Sequence, residues 1–438
     1  MNGAGNGSSG AAARRVAVVS GCRTPFMRSG TGFKDLTSVD LGTLAVREVM
    51  SRSSLEPEQV DHVVYGTVVH SVFAPNIARE VTLRAGLHAR VPAYTVSRAC
   101  ASSNQAITSA TEMIERGYAD VVVAGGAESL TDIPILFSKE MRDRLVKLSK
   151  ARSLGDRLKA FAKFNPKELA PQAPAIAEPT TGESMGESAE RMAKENGISR
   201  EEQDRWALRS HQRAAQGTKD GRLTAEMFPV FAPPKYDIAA DHDNGIRTDT
   251  SLEKLAALKP VYDRKYGSVT AGNASPLTDG ASAVVLMSEQ RARELGHEPL
   301  GYIRSWAYTA LDPHDQLLQG PAWAIPMALD RAGITMQDVE LWEIHEAFAA
   351  QVLSNFQALD SDEFARRELG RDRKVGLIDE DRINVMGGSI AIGHPFGATG
   401  ARLTLTLLNE MKRRGAGVGL ISVCAAGALG FAMVVERR

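Results

Sequence analysis

The chain has 438 residues, 43% of them hydrophobic and 24% charged, an ordinary globular balance with enough apolar material for a core of more than one lobe. A formal net charge of -1 excludes a global field that would draw nucleic acid or a membrane surface. Three cysteines, Cys22, Cys100 and Cys424, are too few and too scattered for a disulfide framework or a structural zinc site, so a reducing, cytoplasmic setting is expected.

Residues 1–13, MNGAGNGSSGAAA, carry no apolar run and are expected to form a disordered tail. Arg14 and Arg15 resemble a twin-arginine signal, but VAVVSG (16–21) is too short for its apolar region and reads better as a buried first strand. No stretch approaches the ~20 apolar residues of a spanning helix. A helical stretch follows near Val39–Ser51, then a strand HVVYGTVV (62–69) and a helix-like stretch with Ile77, Val81 and Leu83. Next come a strand AYTV (93–96), a helix, and a strand DVVVAGG (120–126). This alternation predicts βαβ units and a mainly parallel sheet covered on both faces.

The same order returns near the end. LEPEQVDHVVYG (55–66) lines up without gaps on ITMQDVELWEIH (334–345), and IERGYADVVVAGGAE (114–128) on KRRGAGVGLISVCAA (412–426). Two similar halves are predicted, with active residues at the carboxyl ends of strands. Between them, residues 138–168 hold ten Lys or Arg against four Asp or Glu, about +6. Leu154, Leu158 and Phe161 form an apolar stripe there on a basic amphipathic helix, which suits either a docking surface or packing on the protein's own body. A Pro-rich connection, PQAPAIAEP (171–179), leads to further helical patterning over 185–214.

Four segments carry unusual chemistry. From Ala101 on, Ala106, Ile107, Ala110, Met113 and Ile114 recur at helical spacing and set Cys100 at or just before a first helical turn. A helix N-terminus favours negative charge, so a thiol there is expected to ionise more readily than a free one, although a lone cysteine is more often a small buried hydrophobe. The second segment, WEIHEAFAAQ (342–351), puts His345 and Glu346 at a strand end. The third, MGGSIAIGHPFGATGA (386–401), has five glycines around His394, and the fourth, SVCAAGALG (422–430), ends a buried strand at Cys424. Taken singly, a histidine is more often structural and a glycine cluster more often a turn. Neither GxxxxGK[ST] nor a GxGxxG after the first strand is present, which argues against nucleotide hydrolysis and dinucleotide binding.

Together these segments resemble one family, the thiolases. The match runs from about Arg14 to the C-terminus through RTPF (23–26), the Cys100 segment, AGNASPLTDGA (271–281), EAFA, GHPFGATG and the terminal cysteine strand. The resemblance implies an α/β thiolase fold, two similar βαβ-type halves packed in a five-layer α-β-α-β-α arrangement. Residues 14–137 and 265–296 would form the N-terminal half, 138–264 an inserted loop domain and 297–438 the C-terminal half.

It also implies thiolytic, reversible, ping-pong cleavage of a 3-ketoacyl-CoA by CoA, giving acetyl-CoA and a shortened acyl-CoA through an acyl-cysteine. Cys100 would attack, His394 would take its proton, and Cys424 would donate a proton to carbon 2. His345 and His394 would bond the thioester oxygen, and backbone N–H groups of Cys100 and Ala426 the oxygen on the Cys100-bound carbon. Met185 and Ser275 would line the pantetheine tunnel, with basic residues of the middle segment at the CoA phosphates. No metal or bound organic cofactor is implied, CoA itself being a substrate, and the expected assembly is a homodimer or a dimer of dimers.

Two departures from the commonest family pattern are visible. His345 stands where most members have Asn, which resembles the β subunits of trifunctional fatty-acid oxidation complexes and their bacterial relatives. In that branch a basic insertion like 138–168 helps docking to a hydratase/dehydrogenase α-subunit partner or a membrane. The usual terminal glycine run is here Ala425, Ala426, Gly427 and Ala428, whose methyls narrow the site. An acetoacetyl-CoA thiolase is the near alternative. A carrier-protein ketosynthase lacks a second catalytic cysteine and is disfavoured by Cys424, and a non-catalytic CoA-binding or scaffold subunit is disfavoured by the presence of Cys100, His394 and Cys424 together.

Overall fold

The computed structural model describes residues 14–171 and 177–437. The segment 1–13 and the middle of the Pro-rich connection lie outside the described residues. Strands follow in the order β1 (Val16–Arg23), β2 (Met27–Arg28), β3 (His62–Gly66), β4 (Ala93–Val96), β5 (Val121–Glu128), β6 (Val230–Phe231), β7 (Ala239–Ala240), β8 (Thr278–Ser288), β9 (Gly301–Ala310), β10 (Leu341–Ile344), β11 (Val418–Ala425) and β12 (Leu429–Glu436). All but β6 and β7 join one 10-stranded sheet, ordered β10-β11-β12-β9-β1-β8-β5-β3-β4, with β2 beside β8.

Alternation along the strands divides the core. Val63, Tyr65, Val121 and Val123 pack with the helices Ser38–Ser53 and Ile77–Ala85. Their neighbours Val64, Val122 and Ala124 face the opposite way, onto Ile107 and Ala110 of helix Ser102–Glu115 and Leu403 and Leu407 of helix Thr399–Arg414. In the second half Leu341, Ile421, Val423 and Met433 meet those same two helices. Trp342, Ile344, Leu420 and Val434 turn outward onto Pro321–Ala332 and Ala349–Leu359. The one sheet so wraps around the Ser102–Glu115 and Thr399–Arg414 pair, and its two ends make two sheet layers, giving helix, sheet, helix, sheet, helix, five layers with that pair in the middle. Ile77 and Val81 are buried as expected, whereas Leu83 is exposed.

The sheet is mixed rather than mainly parallel. β3 runs parallel to β4 and β5, and β10 to β11, but β1, β8, β9 and β12 pair antiparallel with their neighbours. Two reversals cause this. β8 returns between β1 and β5 from the long middle segment, and β11 folds straight back into β12, which antiparallel pairing allows through a tight turn. The two halves resemble each other in detail, each with a 3₁₀ turn (Pro57–Gln59, Met336–Asp338) feeding a strand (β3, β10).

The basic segment forms two helices, Lys139–Lys150 and Leu154–Ala160. Leu154 and Leu158 are 74% and 68% exposed, so packing of the stripe on the protein's own body fails for both, while Phe161 leans edge-on against Phe164. Among the described residues no helix is long and apolar enough to cross a membrane.

Candidate active site

Cys100 is carried on a tight turn between β4 and helix Ser102–Glu115. Ala99 takes a left-handed φ of 44°, a conformation that costs a non-glycine residue roughly 1–2 kcal/mol. Ser102 clasps that turn, donating to the Ala99 carbonyl at 2.6 Å and accepting the Arg98 N–H at 2.8 Å. The turn presses onto the end of β3 at Gly66, where any Cβ would come within 2.8 Å of Ser102 backbone, so only glycine fits. Cys100 is part-buried; His345, His394 and Cys424 are buried.

His394 arrives from the glycine-rich segment, its backbone N–H donating to Thr278 Oγ1 at 3.1 Å. Its Nε2 lies 3.1 Å from Cys100 Sγ and its Nδ1 2.7 Å from Thr399 Oγ1. Thr399 donates its own proton to the Pro395 carbonyl at 2.9 Å, so it accepts from Nδ1–H. Hydrogen bonding thus assigns the proton to Nδ1 and leaves the Nε2 lone pair facing the thiol. Burial and the charge of Arg402 push His394 down to about 3, which keeps it neutral.

The thiol does not behave as its place near a helix start suggests. Burial pushes Cys100 up to about 12, and this outweighs the N–H groups of Ala426 and of Cys100 itself, which face the sulfur and pull the other way. Cys100 precedes the helix by two residues, on a turn of its own, so the dipole expectation is corrected. The resting pair is a neutral thiol beside a neutral imidazole.

His345 directly follows β10, its backbone N–H donating to the Ser422 carbonyl of β11 at 2.8 Å. Its ring centroid stands 4.1 Å from that of His394, its Nδ1 lies 3.0 Å from Ser389 Oγ, and its Nε2 is buried with no partner. Burial first, then His394 and Arg402, hold it neutral. Donor atoms of Cys100, His345 and His394 lie within 4.8 Å of one another, and these are residue types that bind zinc. Against a dication stand the commitment of His394 Nε2 to the thiol and the positive charge of Arg402 acting on both rings.

Cys424 lies on β11 opposite Gly430 of β12, in a buried cluster with Ala347, Phe348 and Met185. Burial raises its thiol strongly, the nearby Cys100 sulfur adds to this, and the Ala347 N–H opposes it. The β11–β12 turn has φ of 81° at Gly427 and 54° at Ala428, two successive left-handed residues as a tight hairpin needs, and Gly427 N–H donates to Glu178 at 2.9 Å. This turn aims the Ala426 N–H at Cys100. Met185 opens helix Met185–Glu195, and the Ser275 N–H donates to the Ala347 carbonyl at 2.9 Å, so both predicted tunnel residues flank the 347–348 loop. Every site residue named from the sequence is drawn to this one region.

Sequence reasoning missed the residues behind it. Glu128, at the end of β5, accepts from Val68 and Val69 N–H at 3.0 Å each, Thr67 Oγ1 at 3.1 Å and Gly397 N–H at 2.9 Å, binding the GHPFGATG loop to the first half. Glu346 accepts from Trp206 Nε1, Ser210 Oγ and Asn384 Nδ2, fixing the loop after His345 to helix Arg200–Lys219. Ser389 and Thr399 were legible in principle, as hydroxyls within a few residues of His394. Glu128 and Arg402 are wholly buried ionisable groups with no local sequence signal.

A part-buried thiol touching a neutral imidazole acceptor, with two backbone N–H groups converging beside it, is the equipment of an acyl-transferring enzyme that works through a cysteine. Comparison with known proteins narrows the class. The family described as "Thiolase, N-terminal domain" matches residues 16–290, and "Thiolase, C-terminal domain" matches 297–437. A 3-ketoacyl-CoA thiolase of Aliivibrio fischeri (strain MJ11) is 52% identical over 422 residues, 96% of this chain and 95% of that one. One from Escherichia coli O157:H7 is 51% identical over 424 residues, 97% of each. Among solved structures, the Bacillus anthracis acetyl-CoA acetyltransferase superposes with a TM-score of 0.84 at 33% identity, covering 97% of this chain and 99% of that one. The human mitochondrial 3-ketoacyl-CoA thiolase in complex with CoA gives 0.81 at 33%, covering 97% and 98%. The chain belongs to the thiolase family.

Proposed function

We propose that this enzyme cleaves 3-ketoacyl-CoA with CoA, releasing acetyl-CoA and a shortened acyl-CoA, reversibly and through an acylated Cys100. The observation that carries the reading is the 3.1 Å contact between Cys100 Sγ and His394 Nε2 beside a second buried thiol, Cys424. The relatives named as 3-ketoacyl-CoA thiolases, half identical over nearly the whole chain, support the substrate class.

The chemistry follows from the charge states. Because both members of the Cys100–His394 pair rest neutral, the sulfur proton passes to His394 Nε2 as sulfur bonds carbon 3. Negative charge then lands on the carbonyl oxygen, toward the N–H groups of Cys100 and Ala426, and not on an isolated sulfur. The carbon 2–carbon 3 bond breaks next, leaving acyl-Cys100 and the enolate of acetyl-CoA, whose oxygen faces His345 and His394. Cys424 gives its proton to carbon 2. Its thiolate then takes the proton of incoming CoA, whose sulfur attacks the acyl group, and Cys100 leaves with the proton held by His394.

CoA serves as a substrate, with Met185 and Ser275 along its pantetheine arm. Residues 14–137 with 265–296, and 297–438, act as the two halves, and 138–264 as the inserted loop domain over the site. A homodimer or dimer of dimers is supported by the half-exposed edge strand β4 and by Phe73, 96% exposed on the loop between β3 and helix Ile77–Ala85. Exposed Leu154 and Leu158 among Lys147, Lys150 and Lys159 support docking of a hydratase/dehydrogenase α-subunit or a membrane surface on 138–168. Free Cys22, Cys100 and Cys424 suit a reducing cytoplasm.

An acetoacetyl-CoA thiolase is the second reading, favoured by the likeness to the Bacillus anthracis acetyl-CoA acetyltransferase and by the methyls of the 425–428 turn. A panel of 3-ketoacyl-CoAs of increasing acyl length, assayed for CoA-dependent loss of the 3-keto thioester, separates the two. Turnover retained on long chains supports the first reading, turnover confined to acetoacetyl-CoA the second, and none on any chain length overturns both.

A further inference from the structure

His345 and His394 lie side by side, yet their hydroxyl partners are differently committed. Arg402 Nη2 donates to Ser389 Oγ at 2.9 Å, and Ser389 Oγ lies 3.0 Å from His345 Nδ1. A guanidinium can only donate, so Arg402 occupies an oxygen lone pair and leaves the serine proton to be placed. Among the described residues Ser389 Oγ has no other hydrogen-bond partner than Arg402 and His345. The serine proton therefore points at Nδ1, which must accept it, and the single proton of the neutral imidazole sits on Nε2. Thr399 does the reverse for His394, spending its proton on the Pro395 carbonyl.

We propose that Ser389, oriented by Arg402, is a positioning residue that locks His345 as an Nε2–H donor, so that of two adjacent imidazoles one turns an acceptor to the Cys100 thiol and the other a donor to the reacting thioester. Three further observations fit. His345 Nε2 is buried and unpaired, a donor waiting for an acceptor that the protein does not supply. Arg402 is wholly buried and held by Glu343 at 3.3 Å, so its fork cannot wander. Its positive charge, one hydroxyl away, also opposes protonation of the ring, leaving a neutral donor that does not give up its proton to the enolate. A pre-aimed donor in a dry site needs no reorganisation when the oxygen becomes anionic. The device acts through the reading of His345 as a ligand of the thioester oxygen, and rests on it.

The test begins with the tautomer. In wild-type enzyme labelled with 15N-histidine, and with resonances assigned by His345→Ala and His394→Ala, His345 should show a protonated Nε2 and bare Nδ1, and His394 the opposite. A bare His345 Nε2 overturns the proposal, and this measurement needs no variant of Ser389 that folds. Ser389→Ala should lower kcat about 10²-fold with little change in KM, as loss of an oxyanion donor does, and Ser389→Thr should restore part of it. Combined with His345→Ala, Ser389→Ala should cost nothing more; an equal loss in both backgrounds shows that Ser389 does not act through His345 and overturns the proposal. Full turnover by His345→Ala alone would instead remove the role of His345 on the thioester, while the tautomer reading stood or fell by its own spectrum.

Discussion

His394 Nε2 sits 3.1 Å from Cys100 Sγ although 294 residues separate them in the chain. That contact joins the two halves of the molecule across the middle helix layer. Both groups are held in their uncharged forms by burial, so in the proposed mechanism the nucleophile is made at the moment of attack. The geometry around the pair makes each proton's path testable.

Thr399 fixes which nitrogen of His394 faces the sulfur. Thr399→Val keeps the side chain's shape but removes the acceptor for Nδ1–H. We expect kcat to fall about 10²-fold, within the range for mispositioned general acid–base groups, with the melting temperature lowered only slightly. Steady-state kinetics and a thermal melt check this, and unchanged kcat would show that the hydroxyl is not what orients the ring.

In the proposed mechanism Cys424 serves carbon 2 and not carbon 3. Cys424→Ser should therefore still acylate Cys100 from acetoacetyl-CoA while exchanging the carbon 2 protons of acetyl-CoA slowly. Deuterium exchange followed by NMR measures this directly, and exchange at the wild-type rate would move the proton transfer to another group.

Glu128 ties strand ends to the catalytic loop, and burial raises its carboxyl from 4.5 to about 7 in the folded protein. Between those values the folded state holds a proton that the unfolded chain releases, so stability falls as pH rises. The contribution is fully present below 4.5, lost by about 7, and worth about 3 kcal/mol. Glu128→Gln, which stays neutral, should flatten this part of the stability profile; denaturant melts at several pH values that keep the wild-type slope would refute it.

Leu154 and Leu158 are exposed on a basic helix with no described partner surface beneath them. Leu154→Ser combined with Leu158→Ser should leave thiolysis of acetoacetyl-CoA unchanged and weaken association with a hydratase/dehydrogenase subunit or anionic vesicles severalfold. Co-elution and vesicle sedimentation read this, and undiminished association with both would assign the stripe no docking role.

Much of this was legible in the chain. Val63, Val121 and Val123 announced buried strands, and Cys100, His345, His394 and Cys424 announced a site because their flanking patterns named a family. Strand direction was not legible, because β8 gains its place between β1 and β5 only through contacts set across the middle segment. The state of Cys100 was misjudged for a similar reason. Its sequence neighbours speak of a helix start, but its thiol is governed by the packing around it, which a one-dimensional pattern does not carry. Arg402 and Ser389 are silent in the same way, since an arginine and a serine thirteen residues apart mean nothing until one helix brings them to the same histidine.

The most direct measurement is the mass of the peptide bearing Cys100 after brief exposure of the enzyme to acetoacetyl-CoA without free CoA, followed by acid quench. An acetyl group on Cys100 that disappears when CoA is added is the predicted result. Turnover with no acylated peptide, or with the acyl group resting on Cys424 or any other residue, would contradict the account.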